Sequence, residues 1–293
     1  MRSILLQSPA KLNLFLKVIN KRKDGYHRLV TLFERIDLHD DIRLTTNDSG
    51  RIRIFCDNPQ VPKGPKNLVY KAAAMLKNEF GLNKGVDIKI TKRIPVAAGL
   101  AGGSSNAATV LLGLNKLWRL SLASKDLVAY ARRIGSDVPF FIYNASWAVG
   151  TGRGDCIRVV QIPAQLWHVL AVPRVAVHTP KVFGALSFKA REGGNLKLTK
   201  AGYDVNILIR ALRKNDLFKV GQLLTNDLER AILDVCPELS QLRDKMKCLN
   251  TLGFSFSGSG PSLYGLVSSR QEAKTVGSIL KRHYSQVFIV RTL

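Results

Sequence analysis

The stretch Pro95-Val-Ala-Ala-Gly-Leu-Ala-Gly-Gly-Ser-Ser-Asn-Ala-Ala108 carries the most information in this chain. Ahead of it, Val86, Ile88 and Ile90 alternate with polar residues, the pattern of a half-buried strand. After it, Leu111 and Leu114 continue a helix that starts near Ser104-Ser105 and runs to about Trp118. Gly99, Gly102 and Gly103 let the backbone approach a ligand closely, and the first N–H groups of the helix lack intrahelical partners. The helix dipole adds positive character at that end, so the place suits phosphate. No Lys-Ser/Thr pair ends the loop, which excludes a Walker A motif, and the glycine spacing is wrong for a Rossmann fingerprint. A loop that merely caps a helix is the blander alternative. Strand, glycine run, paired serines and Ala-rich helix together favour the phosphate reading.

Working outward, Asn67 stands where a helix N-cap belongs. Leu68, Ala72, Leu76 and Phe80 then recur every four residues, and Gly81 sits at the C′ position. A further helix begins at the cap Ser124, buries Leu127, Val128, Ala131 and Ile134, and ends at Gly135. Asp137 follows, and Pro139 forbids continuation of that helix. An acid on a tight turn beside Phe140 and Phe141 can be partly desolvated, as a general base requires, although a lone turn aspartate is the commoner reading. In the first strand, Ser8-Pro-Ala-Lys-Leu-Asn-Leu-Phe-Leu16, Lys11 and Asn13 share one face, opposite Leu12, Leu14 and Leu16. A lysine and an amide pointing the same way suit anionic oxygens.

A break is expected near Gly150–Gly154, or in a strand at 157–162. Beyond it come a strand at 167–172 and helical segments at 206–213 and 217–224. Leu239, Leu242, Met246 and Leu249 mark one helix face, and Phe254 and Phe256 alternate in a strand. The turn Ser257-Gly-Ser-Gly-Pro261 leads to a returning strand at 262–267, a helix at 271–282 and a last strand at 286–290. With the strand at 167–172, this is a β–α–β–β–α–β order, a ferredoxin-like split unit. The fold class is α+β with two domains, 1–158 and 159–293.

At 293 residues the chain has room for about two domains. Its net charge of +24 is dispersed, +14 over residues 1–158 and +10 over 159–293, with no run longer than Lys21-Arg22-Lys23. A dispersed excess fits a solvated surface as well as a docking stripe. The charge by itself would also fit RNA binding, but Tyr26 and Phe183 fall in different halves and do not interleave with a basic run. No run approaches the roughly 18 apolar residues of a membrane span. Ile4-Leu5-Leu6 reads as part of the first strand, not as a signal peptide. Cys56, Cys156, Cys236 and Cys248 contain no Cys-x-x-Cys pair, so structural zinc and a disulfide framework are disfavoured and a cytoplasmic setting is natural.

Together these segments resemble the GHMP kinase superfamily, whose phosphate loop reads Pro-x-x-x-Gly-Leu-x-Gly-Ser-Ser-x-Ala. The resemblance runs from Ser8 to about Val267. It is sharpest at Pro9-Ala-Lys-Leu-Asn-Leu-Phe-Leu16, at Asp24-Gly-Tyr-His27 with Thr31-Leu-Phe33, and at Gly135-Ser-Asp-Val-Pro-Phe140. It implies an N-terminal domain similar to ribosomal protein S5 domain 2 that binds ATP, and a ferredoxin-like substrate domain. The implied activity moves the ATP γ-phosphoryl group to the 2-hydroxyl of a cytidine-diphosphate-linked methylerythritol, in the non-mevalonate route to isoprenoids. By resemblance Asp137 is the base and Lys11 its charged neighbour. Pro95, Val96, Ala97, Ala98, Gly99, Leu100, Ala101, Gly102, Gly103, Ser104, Ser105 and Asn106 surround the ATP phosphates, with Asn67, Leu68 and Lys92 near the adenine. Tyr26, His27 and Phe183 hold the cytidine ring by stacking and a base-edge hydrogen bond, with Asn13, Thr179, Pro180 and Arg153 in the same wall. Gly258 and Gly260 match a third motif that packs on the phosphate loop. Two departures stand out: Ala97 and Ala101 occupy positions where the family often has glycine, and alanine is poor at positive φ. No second carboxylate for magnesium emerges, so Mg²⁺ is expected on the ATP phosphates and water, with Ser105 as a candidate loop ligand. The expected partners are these small molecules, with neither nucleic acid nor membrane.

Overall fold

The structure is a computed structural model that describes residues 2–186 and 198–293. It forms two compact units. Unit 1 comprises Met1–Ala10, Leu38–Val96 and Ala101–Ala145; unit 2 comprises Lys11–Asp37, Ala97–Leu100 and Ser146–Leu293. The long strands β1 (Ser3–Lys21) and β2 (His27–Asn47) contribute residues to both.

In unit 1, β4 (Gly85–Thr91) pairs parallel with β3 (Ile52–Cys56) and antiparallel with the end of β2, setting Ile42 opposite Ile90. Helix α1 (Leu68–Glu79) starts where the sequence predicts: the Asn67 side chain accepts the Val69 N–H, and Gly81 has φ +56°. Helix α2 (Gly102–Leu117) is buried on nearly every side, as its alanine-rich face requires. A Cβ on Gly113 would lie 2.5 Å from Leu44 and 2.8 Å from Leu6, so only glycine lets α2 sit this close to the strands. Two local expectations need correction. Helix α3 (Ser124–Ile134) is capped at Ala123, not Ser124; the Asp126 carboxylate reaches back to accept the Ala123 N–H at 3.1 Å. Pro139 does not simply end a helix. It lies in the first turn of a short one, α4 (Val138–Ile142), where its missing N–H has no cost.

In unit 2, β5 (Trp147–Thr151) pairs antiparallel with β2 and with β6 (Cys156–Val159). The expected break at Gly150–Gly154 is therefore half strand: Gly150 lies in β5, where a Cβ would meet the Phe33 ring at 2.6 Å. A short strand, β8 (Thr225–Asn226), runs parallel to β1 at Phe15 and Leu16. The second sheet holds β7 (Trp167–Ala171), β9 (Gly253–Phe256), β10 (Leu263–Val267) and β11 (Val287–Arg291) in the order β11-β7-β10-β9, antiparallel throughout. Between β7 and β9 lie α5 (Thr179–Gly184), α6 (Leu198–Arg213), α7 (Leu217–Leu223), α8 (Glu229–Val235) and α9 (Leu239–Lys247); α10 (Arg270–Lys281) joins β10 to β11. This is the ferredoxin-like split unit read from the periodicity, with extra helices in its first crossover. Val169, Ala171, Leu263 and Val267 from the sheet bury against Leu242 and Met246 of α9 and Val276 and Leu280 of α10. Leu249 falls just past α9 and is half-buried.

Candidate active site

The first half of the glycine loop belongs to unit 2 and is tied down through its carbonyls. Ser262 donates to Ala98 O from its hydroxyl (2.5 Å) and its backbone N–H (3.3 Å). Gly99 O accepts from the Ser257 hydroxyl and from Lys11 Nζ, both at 3.1 Å. Leu100 O accepts the Lys11 N–H at 3.2 Å. In a trans peptide the N–H points opposite to the C=O. Fixing the carbonyls of 98 and 99 therefore aims the N–H groups of Gly99 and Leu100 the other way, where a phosphate can accept them. Gly99 has φ +78°, and a Cβ there would sit 2.2 Å from Ser257 O.

Lys11 is buried, with Nζ 2.5 Å from Asn13 Oδ1 and 5.7 Å from the Phe33 ring centre. The period-two face read from β1 is thus a real contact. Asn13 Nδ2 donates to Thr31 Oγ1 (2.8 Å), which donates to Phe15 O. Gly258, at φ +58°, abuts both: a Cβ there would be 3.3 Å from Lys11 Nζ and 3.4 Å from Asn13 Oδ1. Behind Asn13 lies a buried group that sequence reasoning missed. Tyr264 donates its hydroxyl to Asn13 O (3.0 Å), and burial, reinforced by the Glu34 charge, holds its phenol well above the usual pKa. Its ring meets His168 edge-on, His168 Nε2 is 2.8 Å from Glu34, and Glu34 also accepts from Thr292.

A second cluster in unit 2 carries aromatic rings. His27 stacks on Phe183 with centroids 5.0 Å apart, and the Arg153 guanidinium lies 4.9 Å over the exposed Tyr26 ring while pairing with Asp155. Burial lowers the His27 pKa from its ordinary value of 6.5, and the Lys21 charge acts in the same direction. The imidazole is thus neutral at pH 7. Thr179 Oγ1 and Ser259 Oγ are 2.7 Å apart, and Pro180 occupies the first turn of α5. His27 and Phe183, remote in sequence, are brought together, as are Tyr26 and Arg153.

In unit 1, α2 opens with Ala101 at φ +54°, no capping side chain and no acid in its first turn. Ala97, too, is left-handed, at φ +56°, so both alanines accept the conformation that glycine would adopt more easily. A Cβ on Gly102 would lie 3.3 Å from Lys92 Nζ, and one on Gly103 would be 4.0 Å from Leu68, so Lys92 and Leu68 flank the helix start. Asn67 is engaged as a cap, and its amide also donates to Pro62 O. The Ser8 hydroxyl donates to Asn106 Oδ1 and lies at the same 2.8 Å from the Ser105 hydroxyl, from which it can accept. Asp137 is half-buried at the start of α4. Sequence reasoning missed Ser8 and Asp40, the latter bonded to Lys92.

Among the described residues no group of three or more His, Cys, Asp or Glu side chains could cage a metal ion. Ser105 is fully buried beneath Ser8, which does not suit it as a magnesium ligand. No helix among the described residues is long and apolar enough to cross a membrane.

The family model for the GHMP kinases N terminal domain matches residues 67–145, and that for the GHMP kinases C terminal matches residues 208–286. With its tied glycine loop opening an uncapped helix, the chain belongs to the GHMP kinases, enzymes that are ATP-dependent. Within them it is 41% identical over 290 residues to the 4-diphosphocytidyl-2-C-methyl-D-erythritol kinase of Geobacillus kaustophilus, covering 98% of this chain and 96% of that one. It is 39% identical to the enzyme of the same name from Bacillus subtilis, covering 99% and 97%. A crystal structure of 4-(cytidine 5'-diphospho)-2C-methyl-D-erythritol kinase matches it with a TM-score of 0.80 at 32% identity, covering 98% of both chains.

Proposed function

We propose that this chain transfers the γ-phosphoryl group of ATP to the 2-hydroxyl of 4-diphosphocytidyl-2-C-methyl-D-erythritol, in the cytoplasm, as a step towards isoprenoid precursors. The observation that carries the reading is the loop from Pro95 to Asn106, with carbonyls held at Ala98 and Gly99 and an uncapped helix start at Gly102. Such a loop offers aimed amides to phosphate oxygens. In the reaction the substrate oxygen bonds to γ-phosphorus as the bond to the β–γ bridging oxygen breaks, releasing ADP. The hydroxyl proton passes to the Asp137 carboxylate, and the Lys11 ammonium offsets developing negative charge. Because such transition states are loose, positioning and charge neutralisation outweigh proton abstraction. Mg²⁺ enters as part of the nucleotide substrate.

Adenine is assigned to Asn67, Leu68 and Lys92, and the cytidylyl group to Tyr26, His27, Arg153 and Phe183, with Asn13, Thr179 and Pro180 completing that wall. The His27–Phe183 spacing leaves no room for a base between those rings, so the pyrimidine stacks on an outer face, and neutral His27 meets its edge. In functional terms residues 1–158 supply the ATP side and, through Asn13, Tyr26, His27 and Arg153, part of the substrate wall, which residues 159–293 complete with Thr179, Pro180 and Phe183. The test is an ADP-release assay over alcohols with and without a cytidine diphosphate group. Turnover is expected only with the group, and Asp137→Asn and Lys11→Ala each lower kcat by at least about 10². Equal turnover of an alcohol lacking cytidine overturns the substrate, and wild-type kcat in either variant overturns the mechanism.

A further inference from the structure

We propose that Asp40 is a positioning residue for the nucleotide: it holds Lys92 and the chain ahead of the glycine loop in place beside Gly102. The inference rests on the kinase reading above. Asp40 is fully buried, and both its oxygens are used. Oδ1 accepts the backbone N–H groups of Arg93 (2.8 Å) and Ile94 (2.9 Å), and Oδ2 accepts from Lys92 Nζ. The two residues held in this way flank the first residue of α2. A Cβ on Gly102 would meet Ile94 Cγ2 at 2.9 Å and Lys92 Nζ at 3.3 Å. One carboxylate therefore sets both walls beside the helix start.

The pairing also fixes a side chain that would otherwise be mobile. Lysine has several rotatable bonds, and an ammonium on a side chain only 6% exposed is strongly disfavoured without a counter-charge. Asp40 takes one of its three N–H donors and leaves the others for a nucleotide. The neighbouring residues make a contrasting pair. Asp41 binds Arg93 at 2.6 Å, but at the surface, with 47% of the arginine exposed, where an ion pair contributes little. Asp40-Asp41 thus faces Lys92-Arg93, one pair turned inward and one outward.

Steady-state kinetics on the full chain test the assignment. Asp40→Asn is expected to raise KM for ATP at least tenfold and leave KM for the cytidylyl substrate within twofold, while Asp41→Asn leaves both unchanged. An amide at position 40 keeps an oxygen for the N–H groups of Arg93 and Ile94, and methionine at position 92 removes the lysine charge together with its partner's. The double variant Asp40→Asn, Lys92→Met is therefore expected to melt near the wild-type temperature while keeping the raised KM for ATP, no higher than Lys92→Met alone. A merely structural role predicts instead that KM returns with the melting temperature. Wild-type KM for ATP in Asp40→Asn, or its recovery in the double variant, overturns the inference while the kinase reading stands. A wild-type chain that releases no ADP overturns both.

Discussion

Replacing Gly99 by alanine would strike the loop at the point where its geometry is least forgiving. The residue holds φ +78°, a region where a side chain costs about 1–2 kcal/mol. The new Cβ would also lie 2.2 Å from Ser257 O and 2.8 Å from Gly260 O, so the loop must move off the turn that holds it. That movement breaks the bonds from Ser257 to Gly99 O and from Ser262 to Ala98 O, each worth about 1 kcal/mol. The sum is about 3–4 kcal/mol. At about 2–3 °C per kcal/mol for a chain of this size, Tm falls by about 6–12 °C. Because the amides of Gly99 and Leu100 lose their aim, KM for ATP rises in the same variant. Gly103→Ala supplies the contrast: its φ is not positive, and the nearest atom to the new Cβ is Leu68 Cδ1 at 4.0 Å, so Tm holds or rises slightly. Thermal unfolding with an ATP titration reads both effects. A Gly99→Ala protein that melts and binds ATP like the wild type would refute the reasoning, as would a Gly103→Ala protein that loses as much Tm.

Ala97→Gly and Ala101→Gly each relieve a left-handed alanine but add unfolded-chain freedom, so each changes stability by about 0–1 kcal/mol in the favourable direction, read by calorimetry. Burial and Lys21 depress the His27 pKa below 6.5, so KM for the cytidylyl substrate is flat above neutrality and climbs on acidification as the imidazole gains a proton. The same sign applies to stability: the contribution of neutral His27 is complete above its unfolded pKa and is lost as pH falls through the folded one. His27→Ala abolishes that pH dependence and raises KM for the cytidylyl substrate about fivefold, with KM for ATP unchanged. Tyr264→Phe leaves Asn13 O without its buried donor, which costs about 1–3 kcal/mol and is visible as a drop in Tm; an unchanged Tm would contradict the assignment.

Much of this architecture is visible in one dimension because the interactions that make it are local. Asn67 caps the helix it precedes, and the alternation of Phe254 and Phe256 reports a strand packed on one face. Lys11 and Asn13 meet because a strand brings alternate residues to the same side. The misses share a cause. Ala123 caps α3 because the acid three residues on supplies the acceptor, so the more suitable Ser124 falls inside the helix. The strand β5 was hidden by Gly150, which reads as a breaker but is required there by the Phe33 ring. Around the site, Ser8 with Ser105, Asp40 with Lys92 and Tyr264 with Asn13 are partnerships across long stretches of chain. No periodicity encodes them, because only the tertiary fold makes them neighbours.

The serines of the turn at Ser257–Pro261 and just beyond it have a kinetic consequence. A loop whose carbonyls are already held has little backbone entropy left to surrender when a ligand arrives. Nucleotide association then follows a single step, with an observed rate that rises linearly with ATP and shows no plateau from a slow rearrangement. Nucleotide residence time thus becomes adjustable from a turn that lies far along the chain from the loop.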